Sequence, residues 1–444
     1  MLYVLGVVLA FIGIALSIAL HEVGHLVPAK KFGVRVPQYM VGFGPTMWSR
    51  TRGETEYGVK AVPLGGYIRM IGMFPPAKGQ DPTMTRASST GRFSQLADEA
   101  RKQSLEEIRP GDDGRMFYQL PVWKRVVVMM GGPTVNLLIA LVLFTGIFTL
   151  HGVAVATPKI SSVNECVDIT SAGQQARTEC TPDMPVAPAN EAGLKPGDTI
   201  TAVNGTSVST WDDVRHAIRD NLGAPLTLAV TRDGDPMTLE ADPIVLDLPV
   251  YDENGQLQHD DDGEVVTERA GFLGASGSRE MQEQPVTAVP GLFWDQVEQT
   301  YGLLVKIPEK LVGVAEAAFG SADRDPNGPM SVVGVGRIAG EVASSDDFGD
   351  TRDKAVLLVS LLASLNLVLF AFNTIPLLPL DGGHVAGALW EALKKGWARV
   401  RGRPDPGPVD VAKALPLAYG VALAFIGMTV LLVYADVVKP IRLT

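Results

Sequence analysis

The chain is poor in cysteine, poor in basic charge and, over four long stretches, devoid of charge altogether. Two Cys among 444 residues are too few for a disulfide-stapled scaffold. Only 38 Lys and Arg stand against 49 Asp and Glu, a net charge of -11. Phosphate backbones are recognised by clustered Lys and Arg, so no nucleic-acid partner is expected. Apolar residues make up 46% of the sequence, too many for a disordered chain. Length alone predicts roughly two or three domains.

The charge-free stretches are residues 1–20, 126–150, 355–380 and 415–435. Each reaches the ~20 residues an α-helix needs to cross a bilayer, whereas a buried soluble helix rarely exceeds about 14 apolar positions. Residues 1–20 lack a basic start and a small-residue cleavage pattern, so a retained span is expected rather than a signal peptide. The predicted class is a polytopic α-helical membrane protein with four transmembrane helices. Charge between the spans sets their orientation. Residues 21–125 hold 16 basic and 10 acidic side chains, 151–354 hold 14 and 34, and 381–414 hold 6 and 4. Basic loops stay cytoplasmic. Segments 21–125 and 381–414 are therefore expected inside the cytoplasmic membrane, and 151–354 with the N-terminus outside it. Trp123 and Trp397 lie near span ends, where aromatic anchors are favoured.

His21-Glu22-Val23-Gly24-His25 directly follows the first charge-free stretch. On a helix, His21 and His25 share a face, and two such imidazoles can bind one Zn²⁺. Glu22 beside them can take a proton from water activated there. Two His and a Glu at the end of a membrane helix are costly unless they serve a function. Zinc needs a third protein ligand. The third stretch runs into Asn373-Thr374-Ile375-Pro376-Leu377-Leu378-Pro379-Leu380-Asp381-Gly382-Gly383-His384. Its prolines predict a broken helix, tolerated at membrane depth where it lines a polar cavity. Asp381 is the only acid in or beside this stretch and the best third ligand; His384 is its rival. Asn373 is an uncharged donor suited to holding a peptide, with a helix–helix hydrogen bond as the alternative. Asn136 and Asn366 read mainly as helix–helix contacts.

HExxH in the first membrane helix, with NxxPxxxxDG in a later one, resembles the site-2 protease family of intramembrane zinc metalloproteases. Within it, the chain resembles the bacterial regulator-of-sigma-E protease branch over nearly its whole length. Gly42-Phe43-Gly44-Pro45 is similar to that branch's GFGP segment, and Pro63-Leu64-Gly65-Gly66-Tyr67 to its PLGGY segment in a membrane-associated β-hairpin loop. Gly131-Gly132-Pro133 with Asn136 resembles its GPxxN signature, and Gly328-Pro329-Met330-Ser331 its GP-x-S region. The resemblance implies His21, His25 and Asp381 as ligands of one Zn²⁺ per chain, Glu22 as the base, and Asn373 as a substrate contact. It implies substrates that are single-pass membrane proteins already trimmed outside, notably anti-sigma factors. Gly65 and Gly66 are placed to pair with an unwound substrate as an added strand. The better-known enterobacterial members carry two outer PDZ domains; one signature is found here.

That signature is Ala192-Gly193-Leu194-Lys195-Pro196-Gly197-Asp198, followed by an alternating strand, Asn204-Gly205 and a helix-like segment at 211–219. An inserted α+β PDZ domain is expected at 157–248, binding peptide ends at a sheet edge or acting as a spacer. Cys166 and Cys180, 14 positions apart on the oxidising side, suit a disulfide worth about 3 kcal/mol, with two free thiols as the alternative. The expected division is span one with HExxH at 1–25 and an inner loop at 26–125, its β segment near 54–74. Span two follows at 126–150. An acidic outer loop and one amphipathic helix fill 249–354, with the helix at 293–318. Span three is at 355–384 and span four at 415–435. The predicted function is an intramembrane zinc endopeptidase, with a PDZ scaffold or a metal transporter as rivals.

Overall fold

The computed structural model describes residues 1–75, 108–167, 180–181, 184–250, 257–258, 260, 264–321 and 323–441. They form two compact units, one made of Met1–Leu150 with Pro285–Thr444 and one of His151–Gln284.

In the first unit each charge-free stretch is helical over most of its length, the third only as far as Thr374. Helix α1 (Leu2–Lys31) runs on through His21 and His25 and stops at Lys30 and Lys31, whose charge suits a helix C-terminus. It is followed by strands β1 (Gln38–Arg52) and β2 (Thr55–Arg69) and by helix α2 (Val122–Leu150). Between 17% and 33% of each of the four longest apolar helical stretches is buried, so most of their apolar surface faces outward. All four are long and apolar enough to cross a membrane.

The expected β segment at 54–74 is half of a larger sheet. Residues 38–41 pair with 56–59 on one side and with 66–69 on the other, while 46–52 pair with 55–60. Both strands therefore bend back on themselves. Gly42, Gly44 and Gly65 have φ of +92°, +88° and +114°, a region that glycine enters without strain. The polar, glycine-broken sequence of β1 hides its alternation.

The second unit contains β3 (Val153–Val163), β4 (Thr199–Val203), helix α3 (Trp211–Arg219), β5 (Leu226–Arg232), β6 (Asp235–Ala241), β7 (Ile244–Pro249), β8 (Thr267–Phe272) and β9 (Ala275–Gln282). The sheet order is β9-β3-β4-β5-β6, and β7 pairs with β8. Ile160, Ile200, Val214, Leu226, Leu228 and Val230 fill the core beneath α3. Thr210 and Asp213 close a capping box at the start of that helix. The acidic loop expected after 248 yields to strands from 267 onward. Small and charged residues in β9, an edge strand with one face solvated, conceal it from a hydrophobicity pattern. Cys166 and Cys180 form a disulfide with their Cα atoms 5.9 Å apart.

The chain then returns to the first unit. The single amphipathic helix expected at 293–318 is two helices, α4 (Val289–Val305) and α5 (Ile307–Phe319), parted at Lys306. Pro308 explains the break, because it donates no N–H and is favoured in a first turn. Helix α6 (Val332–Ser344) starts at Ser331, whose hydroxyl accepts from Val333 N and Gly334 N. Ser331 N in turn donates to Asp436 at 2.6 Å, and Arg324 pairs with the same carboxylate at 2.9 Å. Helices α7 (Thr351–Thr374), α8 (Asp381–Val400) and α9 (Leu415–Val438) complete the unit. Thus span three ends at Thr374, and most of the loop expected at 381–414 is helix. Asn366 donates to Ser17 Oγ across α7 and α1 at 2.9 Å, the helix–helix bond read from the sequence.

One ion pair fixes the turn into β4. Arg232 donates to both oxygens of Asp198, at 2.7 and 2.8 Å, and holds its carboxyl below the usual range. A lowered folded-state pKa stabilises above about pH 3.9, and the benefit disappears as pH falls through the folded value. Asp198→Asn should therefore weaken hydrogen-exchange protection of the β4 and β5 amides at pH 7. The gap to wild type should close in acid; a gap that persists there would assign the effect to packing instead.

Candidate metal centre

His21 and His25 stand one turn apart on α1, and their Nε2 atoms lie 3.2 Å apart. Asp381 Oδ2, from the first residue of α8, lies 3.3 Å from His21 Nε2 and 3.2 Å from His25 Nε2. Each ring is held from behind. His25 Nδ1 donates to the Val128 carbonyl at 2.8 Å, and His21 Nδ1 to Asn136 Oδ1 at 3.0 Å. A carbonyl oxygen only accepts, so each Nδ1 carries the proton and each Nε2 a lone pair. The Asn136 amide is oriented accordingly.

Three lone pairs thus converge with no proton between them. Asp381 Oδ2 is buried and receives no hydrogen bond among the described residues, although both Nε2 atoms are within ion-pair distance. This convergence is repulsive unless a cation occupies it. A tetrahedral ion at ~2.1 Å from each ligand holds the ligands about 3.4 Å apart. The observed separations of 3.2, 3.2 and 3.3 Å fit that arrangement. The residues present therefore suit a zinc ion, with a fourth position left over.

Space for the two rings comes from missing side chains. A Cβ on Gly132 would lie 2.7 Å from His21 Nε2 and overlap His25 Nε2. Gly24 of α1 and Gly131 of α2 meet backbone to backbone: a Cβ on either would overlap the other's carbonyl. Pro133 leaves the Met129 carbonyl without its helical donor and loosens the turn that presents Val128.

Asp381 reaches the centre through residues 375–380, a turn containing a cis Leu378–Pro379 bond. Gly382 and Gly383 let α8 start directly against this turn. A Cβ on Gly383 would sit 2.6 Å from Leu378 N, and one on Gly382 would overlap the Ile375 carbonyl. The helix start favours the negative charge of Asp381.

Glu22 projects toward β2. A Cβ on Gly66 would lie 3.0 Å from Glu22 Cγ, and the Ile68 amide faces the Glu22 carboxylate. Gly65 packs under the Phe43 ring. Asn373, half-buried in the last turn of α7, donates to Leu369 O within its own helix at 3.0 Å. His384 is not among the converging groups; it lines a cavity with Tyr118, Arg125 and Val409. Asn136, fully buried, makes the helix–helix contact read from the sequence: on α2, it accepts from His21 of α1 and thereby also holds that ring. Its signal was the spacing Gly131-Gly132-Pro133-x-x-Asn136, a polar group inside a charge-free stretch.

Comparison with known proteins agrees with this geometry. The profile of Peptidase family M50 matches residues 9–403. The chain belongs to this family. Zinc metalloprotease Rip1 of Mycobacterium tuberculosis is 35% identical over 452 aligned positions, covering 100% of both chains. Rip1 of Mycolicibacterium smegmatis is 34% identical with the same full coverage. Metalloprotease MmpA of Caulobacter vibrioides is 27% identical over 86% of this chain and 85% of its own. M50 peptidases are the site-2 protease family, zinc is their cofactor, and the chain is a zinc metalloprotease of that type.

Gly132→Ala should therefore lower zinc content far more than it lowers helix content, as read by elemental analysis beside circular dichroism. Asn136→Ala should weaken zinc affinity by roughly 10- to 100-fold, the usual loss on removing a histidine's outer partner. Unchanged zinc stoichiometry in Gly132→Ala under chelator challenge would show that the overlap is relieved elsewhere.

Proposed function

We propose that the protein is an intramembrane endopeptidase that cuts within the transmembrane segments of single-pass membrane proteins, with His21, His25 and Asp381 holding the zinc and Glu22 as the catalytic base. The observation that carries this reading is the convergence of Asp381, at the start of α8, with His21 and His25 of a helix long and apolar enough to span a bilayer. Zinc bound there supplies a Lewis acid and lowers the pKa of water. Glu22 receives the proton of the attacking water and passes it to the leaving amide nitrogen. The β2 segment 66–69 pairs with 38–41 along one edge and turns Gly66 toward Glu22. An unwound substrate adding along that segment would place its backbone beside the base, which helical substrate would shield. Asn373 reaches substrate only by releasing its own-helix hydrogen bond.

The charge of the loops supports a cytoplasmic position for 21–125 and 381–414 and an outer one for 151–284. That unit reads as a PDZ domain reaching to 284. Strand β9 is its edge, partnered by β3 alone among the described residues, and the Trp211 ring of α3 lies against Gly277 of β9. An extended peptide end fits such an edge. Anti-sigma factors already cut on the outer side are the substrate class this arrangement suits.

Glu22→Gln should keep its zinc while cleavage of a model membrane substrate falls by at least about 100-fold. His21→Ala should lose the zinc as well. Cleavage by Glu22→Gln at the wild-type rate would remove Glu22 from the mechanism. A reporter fused near residue 200 should be active only outside the membrane; cytoplasmic activity would reverse the orientation.

A further inference from the structure

Helix α8 carries an apolar face that none of the described residues covers. Leu389, Trp390, Leu393, Trp397 and Val400 are 55%, 55%, 61%, 58% and 86% exposed. Positions 389, 393, 397 and 400 follow the four-four-three spacing of one helical face, and Trp390 widens it. The opposite face is buried through Ala388, Glu391 and Ala398. Cations border the exposed stripe. Lys394, Arg399 and Arg403 have no carboxylate partner among the described residues, and Arg401 lies 4.3 Å over the Trp397 ring. A soluble helix would not leave two Trp and three aliphatic side chains on one face. An acyl layer accepts such a stripe, and a negatively charged headgroup layer accepts its basic border.

The level of this face is fixed by an ion pair. Arg125 of α2 donates to Glu391 at 2.5 Å, and the second Glu391 oxygen accepts from Val409 N at 2.9 Å. On α2, the two residues before Arg125 repeat the pattern. Trp123 is 60% exposed, and Lys124 lies 5.6 Å over its ring. Two separate helices thus present an exposed Trp with a cation on it, tied together by one buried salt bridge. Trp123 opens a helix long and apolar enough to span the bilayer, and α8 follows in sequence the helix Thr351–Thr374, another of that kind.

We propose that the exposed face of α8, with Trp123 and Lys124, binds anionic phospholipids of the inner leaflet. The aromatic rings lie at the headgroup boundary, and Lys394, Arg399, Arg401 and Lys124 pair with lipid phosphates. This rests on the membrane reading above and adds a lipid class to it.

The full chain, zinc-loaded, is reconstituted in vesicles containing trace dansyl-labelled phosphatidylglycerol or dansyl-labelled phosphatidylcholine. Energy transfer from tryptophan to each probe is compared at equal label density. Wild type should favour the phosphatidylglycerol probe by at least about fivefold, the ratio given by about 1 kcal/mol from even one basic residue near an anionic surface. The preference should fall toward unity in the triple variant K394Q/R399Q/R401Q and shrink in 1 M salt. W390F/W397F should lower the transfer to both probes while remaining inserted, with Trp123 keeping its share; undiminished transfer overturns the assignment to α8. Equal transfer from both probes in wild type overturns the lipid class alone. A preference that survives the triple variant overturns the assignment to α8. No transfer from either probe overturns the membrane reading and this proposal together.

Discussion

Where α1 crosses α2 there is no side chain on either helix. Gly24 faces Gly131, and Gly132 faces the two imidazoles, each at a separation that a single methyl group would violate. Two helices of apolar side chains normally stand 8–10 Å apart, roughly, at their axes. Only a glycine contact brings backbones closer, and here that approach is what lets Nδ1 of His25 reach a carbonyl on the neighbouring helix. The proton on Nδ1 then leaves the lone pair of Nε2 pointing inward. The metal-binding tautomer follows from backbone spacing, and the spacing from three glycines.

Several of the remaining polar groups in the apolar layer are paired across helices, which lowers their desolvation cost. Asn366 donates to Ser17 between α7 and α1. Arg125 and Glu391 tie α2 to α8, and Asp436 gathers Arg324 and the Ser331 amide. Burying such pairs is weak evidence for stability, because hydrophobic replacements are often as stable. Their use is register. A helix that slid by one turn against its neighbour would strand a charge in a dry environment. The Arg125–Glu391 pair is the case with most bearing on chemistry, since the helix it fixes begins with Asp381.

The converging side chains were legible in the sequence and much of the shape was not. Charge-free length exposed all four apolar helices, because a lipid phase forbids charge over a fixed distance whatever the packing. His21, Glu22, His25 and Asp381 were visible because ionisable groups are rare in such stretches. Asn136 was legible as a helix–helix contact, although a lone polar residue does not say that its partner is one of the converging histidines. The four-ribbon sheet at 38–69 was half hidden: its bends depend on glycines in a left-handed conformation, which spacing does not reveal. Strand β9 was missed for a related reason. Its neighbours are 121 residues away at the Thr157–Ser278 contact, and an edge strand needs no apolar alternation. The break at Lys306 was legible in Pro308 yet overridden by the helical spacing around it.

Asp381 shows how a broken helix does what a continuous one does not. Asp381 follows a span that ends at Thr374, and the six intervening residues fold tightly enough that two glycines are needed to admit them. Had α7 continued, residue 381 would lie about 10 Å further along its axis, at 1.5 Å per residue, and two turns round the cylinder. Stopping the helix and restarting it puts the carboxylate at a new N-terminus. There the helix dipole and unpaired amides favour the anion without a neutralising side chain. A lysine or arginine partner would have competed with a cation for the same oxygen. Dipolar support keeps the carboxylate charged and leaves Oδ2 unpaired, so the oxygen that lacks a proton donor is the one aimed at both histidines.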